Sequence, residues 1–236
     1  MKNEKKYKSP KRNAGDVGYA VVKAGISSLP IVGAAATELL NLIVSPPLEK
    51  RRLEWMDMVG NGLRELEEKM GIVLEDLQNN DKFIDAAMDA TQIALRTSQR
   101  EKLDALRNAL LNSVLPNSLE ESIRKMFFSF IDTFGIFHIK ILELFQNPRK
   151  WFPKHGMQYP EIIMSGALSH LIERAFPSLR NNRDLYDLIW KDLYLRGLVS
   201  TEGLHTMMTA SGVEAKRTTG IGDSFLNFIS NPLDTN

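Results

Sequence analysis

The sequence contains no cysteine, which excludes disulfide bonds and thiolate metal sites and fits a reducing compartment such as the cytosol. Its 4 histidines never stand three or four residues apart, so no helix can present two of them to a zinc ion. A nucleophile elbow is missing, and Gly220-Ile221-Gly222 is only a fragment of a phosphate loop without a buried strand before it. We therefore predict no catalytic residue, metal site, cofactor or small-molecule substrate, and we expect that the protein is not an enzyme.

Net charge is also small, because 30 Lys and Arg residues nearly balance 29 Asp and Glu residues to give a formal value of +1. The positive charge is nevertheless concentrated at the start of the chain. Six cations accompany the single acid Glu4 in residues 1–12, namely Lys2, Lys5, Lys6, Lys8, Lys11 and Arg12. We interpret residues 1–13 as a disordered basic arm that can contact phosphate groups on an anionic membrane or on a nucleic acid.

An uninterrupted apolar run of transmembrane length is missing as well. The stretch GISSLPIVGAAATELLNLIVSPP, residues 25–47, comes closest and has Glu38 as its single charge. A bilayer-spanning helix needs about 20 predominantly apolar residues, whereas Lys23, Pro30 and Glu38 divide residues 17–44 into shorter pieces. We therefore predict neither a permanent span nor a cleaved secretory signal.

The two pieces, residues 17–27 and 31–44, are predicted to form short helices rich in Ala and Gly. Small residues allow close helix packing in protein and in lipid alike, so two interpretations stay open. Either the pair packs on a helical bundle, or it enters a membrane under some conditions, beside an arm that anionic lipid attracts. The second interpretation assigns membrane contact to Lys5, Lys6, Lys8, Lys11, Arg12, Val21, Ile31, Leu39, Leu42 and Ile43.

From Ser45 to residue 132 the sequence has patterns that are typical of helices. Ser45 and Pro46-Pro47 predict the start of a helix, in which Gly60 and Gly62 indicate either a kink or a close crossing. One apolar stripe runs along it, formed by Trp55, Val59, Leu63, Leu66 and Met70. A further helix is predicted over residues 81–97, and capping boxes at residues 98–101 and 118–121 predict two more helix starts. We expect residues 14–132 to form a helical bundle.

The pattern changes near Thr133. The predicted elements are a dense apolar helix over residues 136–145, a Pro- and aromatic-rich connection, helices over 161–176 and 184–196, short strands over 198–200 and 204–208, and a last helix containing Phe225, Leu226, Phe228 and Ile229. Three helices, a small hairpin and a closing helix are typical of a winged-helix domain, which we place at residues 133–236. The predicted fold is thus mainly α, with an N-terminal helical bundle followed by a winged-helix-like α+β domain.

A winged helix makes nucleic-acid binding an alternative function, because its third helix commonly enters the major groove. Here that helix, residues 184–196, carries acids that offset its cations, and its Leu185, Ile189, Trp190 and Leu193 are predicted to be core. Nucleic-acid contact would depend on Arg183, Lys191, Lys216 and Arg217. We therefore favour packing or self-association for this domain and keep a nucleic-acid-binding regulator, or a protein–protein adaptor, as alternatives.

Several different segments follow one another in a characteristic order. An apolar segment leads into PPLEKRRLEWMDMVGNGLRELEEK, and then come FIDAAMDATQIALRT, EKLDALRNALLNSV and FHIKILELF. In this order, residues 28–146 resemble the Abi-alpha group of bacterial abortive-infection proteins, and TTGIGDSFLNFI resembles the close of winged-helix domains. The resemblance implies a bacterial, non-enzymatic effector of antiviral defence that harms the host membrane. We expect it in the cytoplasm or peripherally at the inner membrane, and the resemblance transfers no functional residue.

Overall fold

The computed structural model describes residues 46–162 and 164–234. The arm, the predicted helices over residues 17–27 and 31–44, and Ser45 lie outside these residues. Within them the chain is mainly helical, which confirms the predicted class. The described residues form two compact units, one of residues 46–128 and 231–234 and the other of Ser129–Ser230.

The first unit is built from amphipathic helices. Its elements are α1 (Pro46–Met70), α2 (Leu74–Leu77), α3 (Asp81–Arg96), α4 (Arg100–Asn112) and the beginning of α5 (Glu121–Thr133). Helices α1, α3 and α4 pack on one another through a core that includes Trp55, Ala90 and Leu106. Indole Nε1 of Trp55 donates a hydrogen bond to Oγ1 of Thr91 at 2.9 Å, which joins α1 to α3.

Gly62 marks a close helix crossing rather than a kink. A Cβ atom at this position would lie 2.8 Å from Nε of Arg107 and 2.9 Å from Cδ1 of Leu111, both on α4. Only glycine permits this approach without movement of the neighbouring side chains. The predicted apolar stripe of α1 is correct for Trp55 and Leu66, which are buried, but wrong for Met70, which is 46% exposed at the end of the helix.

The helix predicted over residues 81–97 is confirmed, whereas both predicted capping boxes are wrong. Helix α4 starts at Arg100 after Gln99, which makes no side-chain cap. In the turn before it, the hydroxyl of Thr97 accepts the Gln99 N–H at 3.2 Å. Helix α5 starts at Glu121. Ser118 belongs to the preceding turn, where its N–H donates to the Leu115 carbonyl at 2.9 Å. Both helices therefore begin later than the serine that was predicted to cap them, α4 at Arg100 after Ser98 and α5 at Glu121 after Ser118.

The second unit combines short helices with a two-stranded sheet. After the end of α5, its elements are α6 (Ile136–Gln146), α7 (Pro148–Lys154), β1 (Ser165–Gly166), α8 (Leu168–Ala175), a 3-10 turn (Pro177–Leu179), α9 (Arg183–Leu195), β2 (Met208–Thr209), α10 (Ala210–Glu214) and α11 (Gly220–Ile229). The predicted helices over residues 136–145 and 184–196, and the last helix, are confirmed. Gly197 ends α9 with a φ of 72°, a conformation that favours glycine.

Two predictions for this unit are wrong. The helix predicted over residues 161–176 is helical only over Leu168–Ala175, because Ser165–Gly166 forms a strand instead. The connection before it contains helix α7, which Asn147 caps by accepting the Lys150 N–H at 3.1 Å. Short helices inside Pro-rich segments are thus determined by their caps more than by apolar periodicity.

The hairpin predicted from residues 198–200 and 204–208 is wrong, because these segments pair with other parts of the chain. Strand β2 is antiparallel to β1, with Gly166 opposite Met208, while Val199 forms an isolated bridge with Thr218. The segment between the predicted strands is fixed by other partners. The Thr201 carbonyl accepts from Trp190 Nε1 at 3.0 Å, and the Leu204 carbonyl accepts from Ser169 N at 3.1 Å. These contacts direct residues 201–204 towards α8 and α9 instead of back onto residues 198–200.

Candidate functional site

Helix α9 is the element on which the sequence predicts either core packing or nucleic-acid contact. Its inner face is buried and consists of Tyr186, Ile189, Trp190 and Leu193. The ring of Trp190 packs edge-on against Phe145 of α6, with centroids 4.8 Å apart. The core assignment is therefore correct for Ile189, Trp190 and Leu193 and wrong for Leu185, which is 40% exposed.

The outer face of α9 presents leucine to solvent. Leu188 is 65% exposed and Leu195 is 71% exposed. They are seven residues apart and so lie on one face of the helix, opposite the buried side chains. This face also carries the exposed Asp184 and Lys191, so it has no surplus of positive charge for contact with phosphate.

The cations proposed for nucleic-acid contact are mostly engaged by acceptors of the protein. Arg183 pairs with Asp187 at 3.4 Å, one turn along α9. Lys216 pairs with Asp223, and the guanidinium of Arg217 donates to the Gly212 carbonyl and approaches Sδ of Met208 at 3.2 Å. Lys191 is exposed. The structure therefore brings three of the four into separate local contacts instead of one basic patch.

Asp223 organises the start of α11. Burial by itself would raise the pKa of its carboxyl group, but hydrogen bonds from Lys216 and Thr218 outweigh burial and lower the pKa. The Thr218 hydroxyl donates at 2.7 Å. Because the pKa is lowered on folding, this carboxylate stabilises the folded state at neutral pH, and the stabilisation is lost on acidification. Lys216 thus has a structural partner in Asp223.

The guanidinium group of Arg196 lies against two aromatic rings. The guanidinium carbon of Arg196 is 5.1 Å and 5.0 Å from the ring centroids of Phe130 and Phe134, and its Nε pairs with Asp192 at 3.0 Å. The His138 ring stacks on Phe134 with centroids 4.8 Å apart, and its Nε2 lies 3.5 Å from the Asp192 carboxylate. This arrangement holds α6 against α9.

Tyr186 ties α9 to α8. Its hydroxyl group donates to Oε1 of Glu173 at 2.8 Å. Burial, together with this hydrogen bond and the charge of Glu173, raises the pKa of Tyr186 to about 12. Nearby, Nε2 of His205 contacts Oδ1 of Asp187 at 2.6 Å. The acids that sequence reasoning treated only as charge offsets, Asp187 and Asp192, are therefore the partners that fix histidines and arginines around α9.

Sequence reasoning missed Arg124 of α5 completely. This arginine is 1% exposed, although arginine is almost never fully buried without a partner. A signal was present in the sequence, because Arg124 precedes Phe127 and Phe128 by three and four residues and so shares their helix face.

The residues proposed for membrane contact all lie outside the described residues. They are Lys5, Lys6, Lys8, Lys11, Arg12, Val21, Ile31, Leu39, Leu42 and Ile43.

Neither a metal-ligating cluster nor a membrane-spanning helix occurs in the described part of the chain. No group of three or more metal-ligating side chains occurs there. None of the helices within residues 46–162 and 164–234 has the combination of length and hydropathy that a bilayer span requires. No protein-family model, curated protein or solved structure matches the chain.

Proposed function

We propose that this protein is a non-enzymatic, abortive-infection-type effector of bacterial phage defence that acts conditionally on the inner membrane through residues 1–44. One observation carries the proposal. Six cations in residues 1–12 stand directly before a long apolar segment rich in Ala and Gly, in a chain whose net charge is only +1. Such a juxtaposition combines electrostatic attraction to anionic lipid with apolar surface that can enter the bilayer.

The membrane step is conditional because residues 17–44 are interrupted by ionic side chains and proline. A charge at the bilayer centre costs at least about 2.5 kcal/mol, and both Lys23 and Glu38 would have to be accommodated. The segment therefore needs a trigger or a favourable surface before it leaves water or protein. Electrostatic attraction by the arm supplies part of that free energy at an anionic membrane.

We propose further that the second unit is a winged-helix-like module that associates with a second copy of the chain. Support for the fold comes from the order strand, helix, helix and strand in β1, α8, α9 and β2, which follows helices α6 and α7. Support for association comes from Leu188 and Leu195, which an antiparallel pair of α9 helices would place opposite each other. The local ion pairs of Arg183 and Lys216 argue against the nucleic-acid alternative.

Vesicle flotation and dye leakage test the function with the full chain. We expect binding to anionic vesicles, little binding to zwitterionic vesicles, and leakage only after binding. Leu39→Asp combined with Leu42→Asp should abolish leakage, because two carboxylates at those positions oppose entry into hydrocarbon. The control is Leu48→Asp, at a leucine of α1 that is already 46% exposed, and it should leave leakage unchanged.

Two results would contradict the proposal. The first is equal leakage by wild type and by the Leu39→Asp, Leu42→Asp variant. The second is salt-dependent binding of duplex DNA that weakens when Lys216 and Arg217 are changed to Gln, together with no vesicle binding. That second result would establish the nucleic-acid alternative, since counterion release makes phosphate contacts strongly salt-dependent.

A further inference from the structure

A cleft of about 770 Å³ lies between helices α1 and α4 of the first unit, and the turn after α3 also lines it. Small-molecule sites commonly measure about 300–1,000 Å³, so the cleft has room for a ligand of that class. Its walls belong to helices that pack on one another, and the hydrogen bond between Trp55 and Thr91 fixes α1 to α3. The cleft is therefore a feature of the packed helices and not of a loop.

The floor of the cleft is apolar. Trp55 and Ala94 are buried there, and Met58 and Leu103 are half-buried beside them. An apolar surface that includes a large aromatic side chain suits a flat ring such as a nucleobase. The floor thus favours an organic ligand over an inorganic ion.

The rim of the cleft carries positive charge from both helices. Lys50 and Arg51 of α1 and Arg100 of α4 are exposed residues that line it. Lys50 pairs with Glu54 at 3.7 Å, and Nε of Arg100 pairs with Asp104 at 3.4 Å, each within one helix. Because exposed pairs of this kind contribute little free energy, a phosphate group can compete for these cations.

Arg51 is oriented by an uncharged acceptor. Its Nη1 donates to the Leu95 carbonyl oxygen near the end of α3, at 3.4 Å. A guanidinium group has five N–H donors in a planar fork, so one such contact positions the group and leaves donors for a ligand. Since Arg100 follows Leu95 by five residues, both arginines lie at the end of the cleft beside the turn after α3. This end is suited to a phosphate group, which arginine can bind through two parallel hydrogen bonds.

The remaining charges of the cleft are of both signs. Arg107 is the least exposed of its cations, and Nη2 of this arginine lies 3.7 Å from Glu65. Glu54, Asp57 and Asp104 also line the cleft, so its described lining has four cations and three acids. Carboxylates accept hydrogen bonds from hydroxyl and amino groups. A ligand that combines phosphate with hydroxyl groups therefore matches this lining better than a simple anion.

We propose that this cleft binds a nucleotide. Its phosphate groups contact Arg51 and Arg100, its sugar hydroxyl groups donate to the carboxylates of the lining, and its base lies on the floor around Trp55. The proposed membrane function depends on residues 1–44, whereas this site is formed by residues 50–107. The site thus goes beyond that function, and the two are tested separately.

Isothermal titration calorimetry of the full chain tests the site, with ATP as the probe at low salt and with EDTA to keep its phosphates free of metal. We expect Arg51→Gln and Arg100→Gln each to raise the Kd at least about tenfold, because each removes a charge-assisted hydrogen bond. Arg52→Gln is the matched control, at an exposed arginine of α1 that does not line the cleft. It should bind ATP within about twofold of wild type. All three positions are exposed, so the variants should fold.

Simpler ligands test each part of the proposed contact. Adenosine lacks the phosphate groups, and pyrophosphate lacks the sugar and the base. Glycerol phosphate carries the phosphate of a lipid headgroup without a base. We expect all three to bind at least about tenfold more weakly than ATP. Absence of ATP binding, an equal loss in Arg52→Gln, or binding of any of the three as tight as that of ATP would overturn the proposal.

Photolabelling locates the bound nucleotide. An azido derivative of ATP, irradiated with the full chain, should attach to peptides of α1, α4 or the end of α3, and excess ATP should prevent the reaction. Labelling confined to other parts of the chain would overturn the site even if ATP binds.

Discussion

Gly222→Ala is expected to destabilise the second unit by about 3 kcal/mol, at the upper end of the range for overpacking. Gly222 is buried in the first turn of α11, and a Cβ atom there would overlap the backbone carbonyl oxygen of Leu198. Neither group can move away easily. That carbonyl accepts the Thr219 N–H at 3.0 Å, and the Gly222 N–H donates to Oγ1 of Thr219, also at 3.0 Å. The added methyl group must therefore displace backbone.

Differential scanning calorimetry of the full chain measures this effect. A loss of about 3 kcal/mol corresponds to a decrease in Tm of roughly 6–12 °C for a protein of this size. Gly220→Ala is the matched control, because a Cβ atom at this exposed position would have no heavy atom within 4 Å apart from its chain neighbours and the adjacent backbone of α11. Its Tm should be unchanged or slightly higher. Equal Tm values for the two variants would show that α11 does not pack on residue 198 as described.

Neutralising the basic arm is expected to reduce affinity for anionic vesicles by about 1,000-fold or more. Each Lys or Arg near such a surface contributes about 1 kcal/mol, and every 1.4 kcal/mol corresponds to a factor of ten. The variant changes five residues to Gln, namely Lys5, Lys6, Lys8, Lys11 and Arg12. Vesicle sedimentation at low salt measures the affinity.

The control for this variant carries the same change of charge elsewhere. Five exposed cations of the described units are changed to Gln, namely Lys50, Arg52, Lys82, Arg100 and Lys150. We expect the control to bind within a few-fold of wild type, because its arm is intact. Comparable losses in both variants would mean that net charge, and not the arm, determines binding. High salt should abolish the difference between wild type and the arm variant, since exposed charges are screened.

The helices that were predicted correctly are those in which the spacing of apolar residues in the sequence matches the face that is buried in the structure. In α3, the spacing of apolar residues and the cap at Asn80 specify the same helix, and the cap is formed by local atoms. The same holds for α9, where Gly197 provides the stop signal. In these segments, neighbours within four residues supply most of the determining contacts.

The errors arise where distant residues decide the structure. Strand β1 exists because residues 208–209 pair with it from more than forty positions away, and no local pattern marks Ser165–Gly166 as a strand. The burial of Arg124 has one local sign, the helix face that it shares with Phe127 and Phe128, but the exposed Glu121 and Lys125 close to it in the sequence obscure that sign. The roles of Asp187 and Asp192 depend on partners that are distant in the sequence, since the fold brings α6 and residue 205 beside α9.

Entry of residues 31–44 into lipid is the central claim, and a single fluorescent label tests it directly. Because the chain has no cysteine, Leu42→Cys can be labelled uniquely with an environment-sensitive dye, and Leu48→Cys, at an exposed position of α1, provides the reference. On addition of anionic vesicles, we predict a blue shift of the emission from position 42 and its quenching by acyl-chain-attached quenchers, with little change at position 48. Bound protein whose label at position 42 stays solvent-exposed and unquenched would contradict the claim.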